Sequence, residues 1–112
     1  MDDAITEFYE GAASGKAEVF ASVVGSKFIR YIHMKNTTAA AAYLQVHFLP
    51  TASVTLATTV PKQQFGLAAS ESKTIVFPGK GIKIVGSGLT VAGTTARTGN
   101  SAAQIDVNIG FS

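Results

Sequence analysis

The sequence predicts an all-β protein: an antiparallel β-sandwich or jelly-roll-like fold of about seven to nine short strands, preceded by an N-terminal arm. Three observations lead there. Apolar and polar residues alternate with a period of two in several segments, the pattern of a sheet with one buried face. Glycine and proline turn signals punctuate the chain at short intervals. The four alanines at 39–42 favour helix locally, but the run is too short to nucleate one and β patterns flank it.

Taken in order, residues 5–9 (ITEFY) read as a short strand or a few helical residues ended by Gly11, Ser14 and Gly15. Residues 1–15 are therefore expected to form an acidic arm and residues 16–112 the sandwich domain. Residues 16–24 alternate Ala17, Val19, Ala21 and Val23 with Glu18, Phe20, Ser22 and Val24, and Gly25-Ser26 makes a hairpin break. The stretch 27–50 organises the rest. Phe28, Ile32 and Met34 share one parity, with Arg30 intruding, while Ile29, Tyr31, His33 and Lys35 share the other. Leu44, Val46 and Phe48 then oppose Tyr43, Gln45, His47 and Leu49. Asn36-Thr37-Thr38 lies between the two runs, and Asn and Thr bond their own backbone in turns. The expectation is a pair of long antiparallel strands joined near residues 36–40.

Residues 51–60 (TASVTLATTV) are rich in Thr and Val and read as extended until Pro61 interrupts them. Residues 63–69 form a loop with one short strand, 72–77 a strand, and Pro78-Gly79 a turn. Two short strands, 81–85 and 88–92, flank Gly86-Ser87, and 93–103 is a small-residue polar loop. Residues 104–111 alternate most cleanly, with Ile105, Val107, Ile109 and Phe111 on the apolar side. This strand ends the sequence, so the C-terminus should be pinned inside a sheet.

A chain of 112 residues is one domain. Only 14% of residues are charged, against about 25% in ordinary soluble domains, which implies that part of the surface is covered by a partner. No apolar run approaches the length of a membrane helix, and the acidic start MDDAITEFYE lacks the pattern of a signal peptide. There is no Cys, hence no disulfide framework, and the Asn36 sequon reads as turn chemistry. Residues 1–18 carry five carboxylates against Lys16, a net of −4. The cations of the remainder are dispersed, without the basic clusters or aromatic interleaving of a nucleic-acid-binding surface.

No constellation points to catalysis, and an enzyme is not expected. His33 and His47 fall on facing runs and could be cross-strand neighbours, but two imidazoles without a third ligand make half a metal site. Gly79-Lys80-Gly81 and Gly86-Ser87-Gly88 lack P-loop spacing and a following helix; they read as turns. Glu71 and Asp106 are the only carboxylates beyond residue 18, and no nucleophile elbow is present. No catalytic residue, cofactor or metal site is predicted.

Three segments carry a resemblance. NTTAAAAYL at 36–44, FPGKG at 77–81 and DVNIGF at 106–111 are similar to a hairpin, a strand end and a closing strand of small β-sandwich virion proteins of tailed bacteriophages. The likeness spans about residues 16–112 and is one of strands and turns. It implies a capsid decoration (cement) protein on the outer surface of the virion. Its partners would be the major capsid protein and copies of itself, as a trimer, with no nucleic acid or membrane involved. Another virion position, in the neck, tail or a head fibre, belongs to the same resemblance. A carbohydrate-binding module is the alternative of another class, disfavoured because the chain has no Trp and only three Tyr to serve as sugar platforms. Within the arm, Ile5, Glu7, Phe8, Tyr9 and Glu10 combine charge with apolar anchors and are the predicted partner-interface residues.

Overall fold

A computed structural model of the chain describes residues 5, 7–23, 25–96 and 99–112. Among them are eight strands: β1 (Glu7–Phe20), β2 (Phe28–Asn36), β3 (Ala42–His47), β4 (Gln63–Leu67), β5 (Ser72–Val76), β6 (Ile82–Lys83), β7 (Leu89–Thr94) and β8 (Gln104–Phe111). All pair antiparallel, in the spatial order β4-β3-β7-β1-β8-β2-β5, with β6 beside β2. The fold is all-β, as the alternation predicts, and takes the form of a flattened, nearly closed barrel.

The long strand β1 makes this shape. Glu7 to Ser14 pair with β8, whereas Gly15 to Phe20 pair with β7. The first half thus belongs to one sheet (β1, β8, β2, β5, β6; sheet A) and the second half to the other (β4, β3, β7, β1; sheet B). The change of partner falls at Gly15, whose φ of 74° is open to glycine at no steric cost. Its register partner is Gly93, where a β-carbon would stand 2.1 Å from the carbonyl oxygen of Ala103 and 2.4 Å from that of Ala13. Only a residue without a side chain lets these backbones meet.

The core between the sheets is built from the inward parity of each strand. Ile105, Val107, Ile109 and Phe111 of β8 are buried, as predicted, against Ile32 and Met34 of β2, Leu44 and Val46 of β3, and Leu89 and Val91 of β7. Each such side chain stabilises the fold by about 1.5–3 kcal/mol relative to exposure. Phe20 packs edge-on against Phe111, ring centroids 5.0 Å apart, and so ties β1 to the end of β8. As expected, the last strand lies inside a sheet, between β1 and β2.

The two ends of the strand path, β4 and β5, are consecutive in sequence. Glu71 closes their loop by accepting from the Ala68 amide (2.7 Å), and Lys73 of β5 reaches back to the Gly66 carbonyl of β4 (3.0 Å). A half-buried lysine on an edge strand also discourages stray pairing with other chains.

Gly25-Ser26 does not make a hairpin, because β8 lies between β1 and β2; four further expectations need correction. First, the boundary between an arm ending at residue 15 and a domain starting at residue 16 falls in the middle of β1. Gly11 and Gly15 do not end a segment, because β8 supplies ladder partners up to Ser14 and β7 takes over at Gly15. Second, β2 and β3 are not paired with each other: β2 joins β8, β5 and β6 in sheet A, and β3 joins β4 and β7 in sheet B. The chain between them crosses from one sheet to the other. Buried Asn36 fixes that crossing: its Oδ1 accepts from the Thr38 amide (2.9 Å) and hydroxyl (2.7 Å), and its Nδ2 donates to the carbonyls of Ala40 (2.7 Å) and Ala68 (3.0 Å). Third, the intruding Arg30 marks a register shift between Ile29 and Tyr31, so Ile29 and Ile32 both face the core although their parities differ. Fourth, residues 51–60 are not a strand but a 3-10 turn, Thr51–Ser53, followed by further turns. Local bonds replace the ladder: the Thr55 amide donates to Thr59 Oγ1 (2.9 Å), and Lys16 Nζ holds the carbonyls of Thr51 (3.2 Å) and Val54 (2.7 Å).

Two substitutions test this architecture. Ile109→Ala removes a fully buried side chain from β8 and should cost about 2–5 kcal/mol in chemical denaturation. Gly93→Ala should cost about 3 kcal/mol or more, because the added methyl meets two backbone carbonyls that cannot swing aside. Near-wild-type stability of Gly93→Ala would mean that the sheets do not meet there.

Candidate functional site

The outward faces of the two sheets differ. On sheet B the loops fold back over the strands. Thr90 and Thr94 of β7 and Gln45 and His47 of β3 point outward yet are buried. Thr90 Oγ1 donates to the Leu49 carbonyl (2.9 Å), Thr94 Oγ1 to that of Ala96 (2.7 Å), and Glu18 accepts from the Thr51 amide (3.0 Å). On sheet A no loop among the described residues covers the outward side chains, and its polar parity is exposed.

Register places that face in rows. Phe8, Gly110, Tyr31 and Val76 form the first row across β1, β8, β2 and β5. Glu10, Asn108, His33 and Thr74 form the second, and Ala12, Asp106, Lys35 and Ser72 the third. The first row is apolar and open: Phe8 is 63% exposed and Val76 71%. Tyr31 lies across Gly110, where a β-carbon would be 2.3 Å from its ring, and its hydroxyl donates to Asn108 Oδ1 (2.5 Å). His33 Nδ1 bonds Thr74 Oγ1 (2.6 Å). Between β1, β8 and β2 the face holds a shallow depression of about 390 Å³ bordered by Glu10, His33, Lys35, Asp106 and Asn108.

A second exposed apolar patch lies at the far end of β3. Val60 (83% exposed) and Val85 (64%) flank a cleft of about 520 Å³ whose walls include Phe48, Leu49, Pro61 and Lys62. His47 lines it. The tautomer of this buried ring follows from its neighbours. Gln45 Nε2 donates to Thr94 Oγ1 (3.1 Å) and to the Gly99 carbonyl (3.4 Å), which leaves Gln45 Oε1 to accept from His47 Nε2–H (2.9 Å). Nδ1 is then the unprotonated nitrogen, and it has no hydrogen-bond partner among the described residues. Burial lowers the His47 pKa below its ordinary 6.5, because desolvation disfavours the charged imidazolium.

The five predicted interface residues are separated by the alternation of β1. Phe8 and Glu10 stand on the open face of sheet A. Tyr9 points inward, packs against the core and covers Gly11. Glu7 is held by an ion pair with Lys27, whose ammonium sits 4.9 Å from the Phe20 ring centroid. Ile5, 37% exposed, precedes the strand. His33 and His47 are brought to different sheets, and among the described residues no group of three or more His, Cys, Asp or Glu could hold a metal ion. Sequence reasoning missed Tyr31, His33, Lys35, Val76, Asp106 and Asn108 as parts of one surface. Their outward parity was visible in the alternation, but not the strand order that gathers them. The patch around Val60 and Val85 has no periodic signal, because turns build it.

Compared with known proteins, the chain matches no family model, no curated protein and no solved structure.

The His47 arrangement predicts a pH dependence. The unfolded chain takes up a proton as pH falls through about 6.5, while the folded chain resists it. The unfolded state then binds more protons, so stability present above that pH is lost progressively below it. Thermal denaturation of His47→Gln should show a shallower fall between neutrality and mildly acidic pH than the parent chain; equal slopes would remove His47 as the cause.

Proposed function

We propose that this chain is a structural protein of a tailed-bacteriophage particle. It is a decoration (cement) protein that binds the outer surface of the shell built by the major capsid protein, and its copies associate with one another. The observation that carries this reading is a pair of separate exposed apolar patches on a stiff β framework, Phe8 with Val76 on sheet A and Val60 with Val85 beside the cleft. Two patches allow two contacts, one to the shell and one to a neighbouring copy. The segments that resemble virion proteins supply the frame: residues 36–44 cross between the sheets, 77–81 make the turn after β5, and 106–111 lie within the central strand β8.

The mechanism is mass action. A protein that binds the assembled shell and not its dissociated subunits stabilises the shell by its binding free energy, in proportion to its occupancy. Apolar contacts without dense charge suit this task, because they persist across salt conditions that screen exposed ion pairs.

Shells lacking this protein should assemble but rupture at lower temperature or after a smaller osmotic downshift than decorated shells. Purified protein added back should restore robustness, and a Val60→Asp, Val85→Asp double variant should bind shells less well. Equal robustness of bare and decorated shells would overturn the assignment, as would failure of shells to form without the protein.

A further inference from the structure

We propose that the open face of sheet A is a twofold interface with a second copy of this chain. The argument rests on the register of four strands. Take an axis lying in the face, parallel to the strands and midway between β8 and β2. Rotation about it keeps each row but exchanges β1 with β5 and β8 with β2. Phe8 of one copy then meets Val76 of the other, and Asp106 meets Lys35, each contact occurring twice. Glu10 meets Thr74, and Asn108 meets His33, so hydrogen-bonding groups face hydrogen-bonding groups. The small residues Ala12 and Ser72 oppose each other and leave the charged pairs room to approach. The other in-plane axis, across the strands, sets the apolar first row against the charged third row and matches neither.

This self-complementarity identifies the occupant. Lys35 and Asp106 are exposed neighbours on adjacent strands, and Phe8 and Val76 bound the apolar row from opposite sides. An isologous contact requires that arrangement, one patch carrying both halves of every pair. Four strands about 4.8 Å apart and five residue positions about 3.3 Å apart describe a face of about 19 by 17 Å. That is small beside the ~800 Å² per partner of a standard interface, so the pair belongs to the weak, concentration-dependent class. Its ion pairs occur at the rim of an open face, where salt screens them.

The inference concerns the free protein and stands apart from the shell assignment: a dimer that ignores shells would sink only the latter, and a monomer that decorates them only the former. Sedimentation equilibrium of the full chain should show a reversible monomer–dimer equilibrium that weakens as salt rises. Lys35→Asp and Asp106→Lys should each weaken association about tenfold or more, since each reversal places two like-charge pairs in the contact. The double swap Lys35→Asp, Asp106→Lys should recover most of the loss, and Phe8→Ser should weaken association at all salt concentrations. Circular dichroism checks that each variant is folded. A monomer up to millimolar concentration at low salt overturns the proposal. So does a trimer, or folded single reversals that the double swap fails to rescue.

Discussion

The structure depends on a single strand that changes partners. A 14-residue β1 supplies the ladder to β8 with its first half and to β7 with its second. Two sheets joined by one continuous backbone cannot slide or separate without breaking both ladders, so the core rows of β8, β2, β3 and β7 are held in register from the start. The crossing demands close backbone approach, and the Gly15–Gly93 pair meets that demand. The strand order, the central place of β8 and the near closure through β4 and β5 follow from this corner.

The loops act on one side only. Lys16 and Glu18, on the outward parity of β1, hold the turn at residues 51–54 over sheet B. The Thr94, Gln45 and His47 chain fixes the loop after β7 in the same way. Buried polar groups of this kind are costly when unpaired, and here nearly every member has a partner, which selects one loop arrangement among many. His47 Nδ1 is the exception, and it makes the network sensitive to acid. Among the described residues, sheet A receives no such cover. Its outward residues meet solvent, and the molecule acquires a bare face and a covered one from sheets of similar size.

The division of the candidate site was partly legible in the sequence. The mixture of charge and apolar surface makes Phe8 and Glu10 expected contact residues, and the fold places both on the open face of sheet A. Tyr9 and Glu7 were grouped with them because they are adjacent in sequence, but neighbours in a strand point to opposite faces. The remaining members of the face come from β2, β5 and β8, whose side-by-side order no single segment encodes.

The features legible in the residues alone are local ones. The alternation of residues 104–111 identified the buried side of β8, Pro78-Gly79 marked a turn, and Asn36-Thr37-Thr38 marked a reversal made by side chains bonding their own backbone. These follow from strand geometry and turn chemistry, which act over a few residues. The tertiary structure alone decided that β2 and β3 lie in opposite sheets, that β1 continues through Gly15, that a register shift at Arg30 turns both Ile29 and Ile32 inward, and that residues 51–60 cover a sheet rather than join one. Each of these depends on which distant backbone offers hydrogen bonds and on which loop excludes water. A period of two along one strand states that a face is buried; it does not state against what.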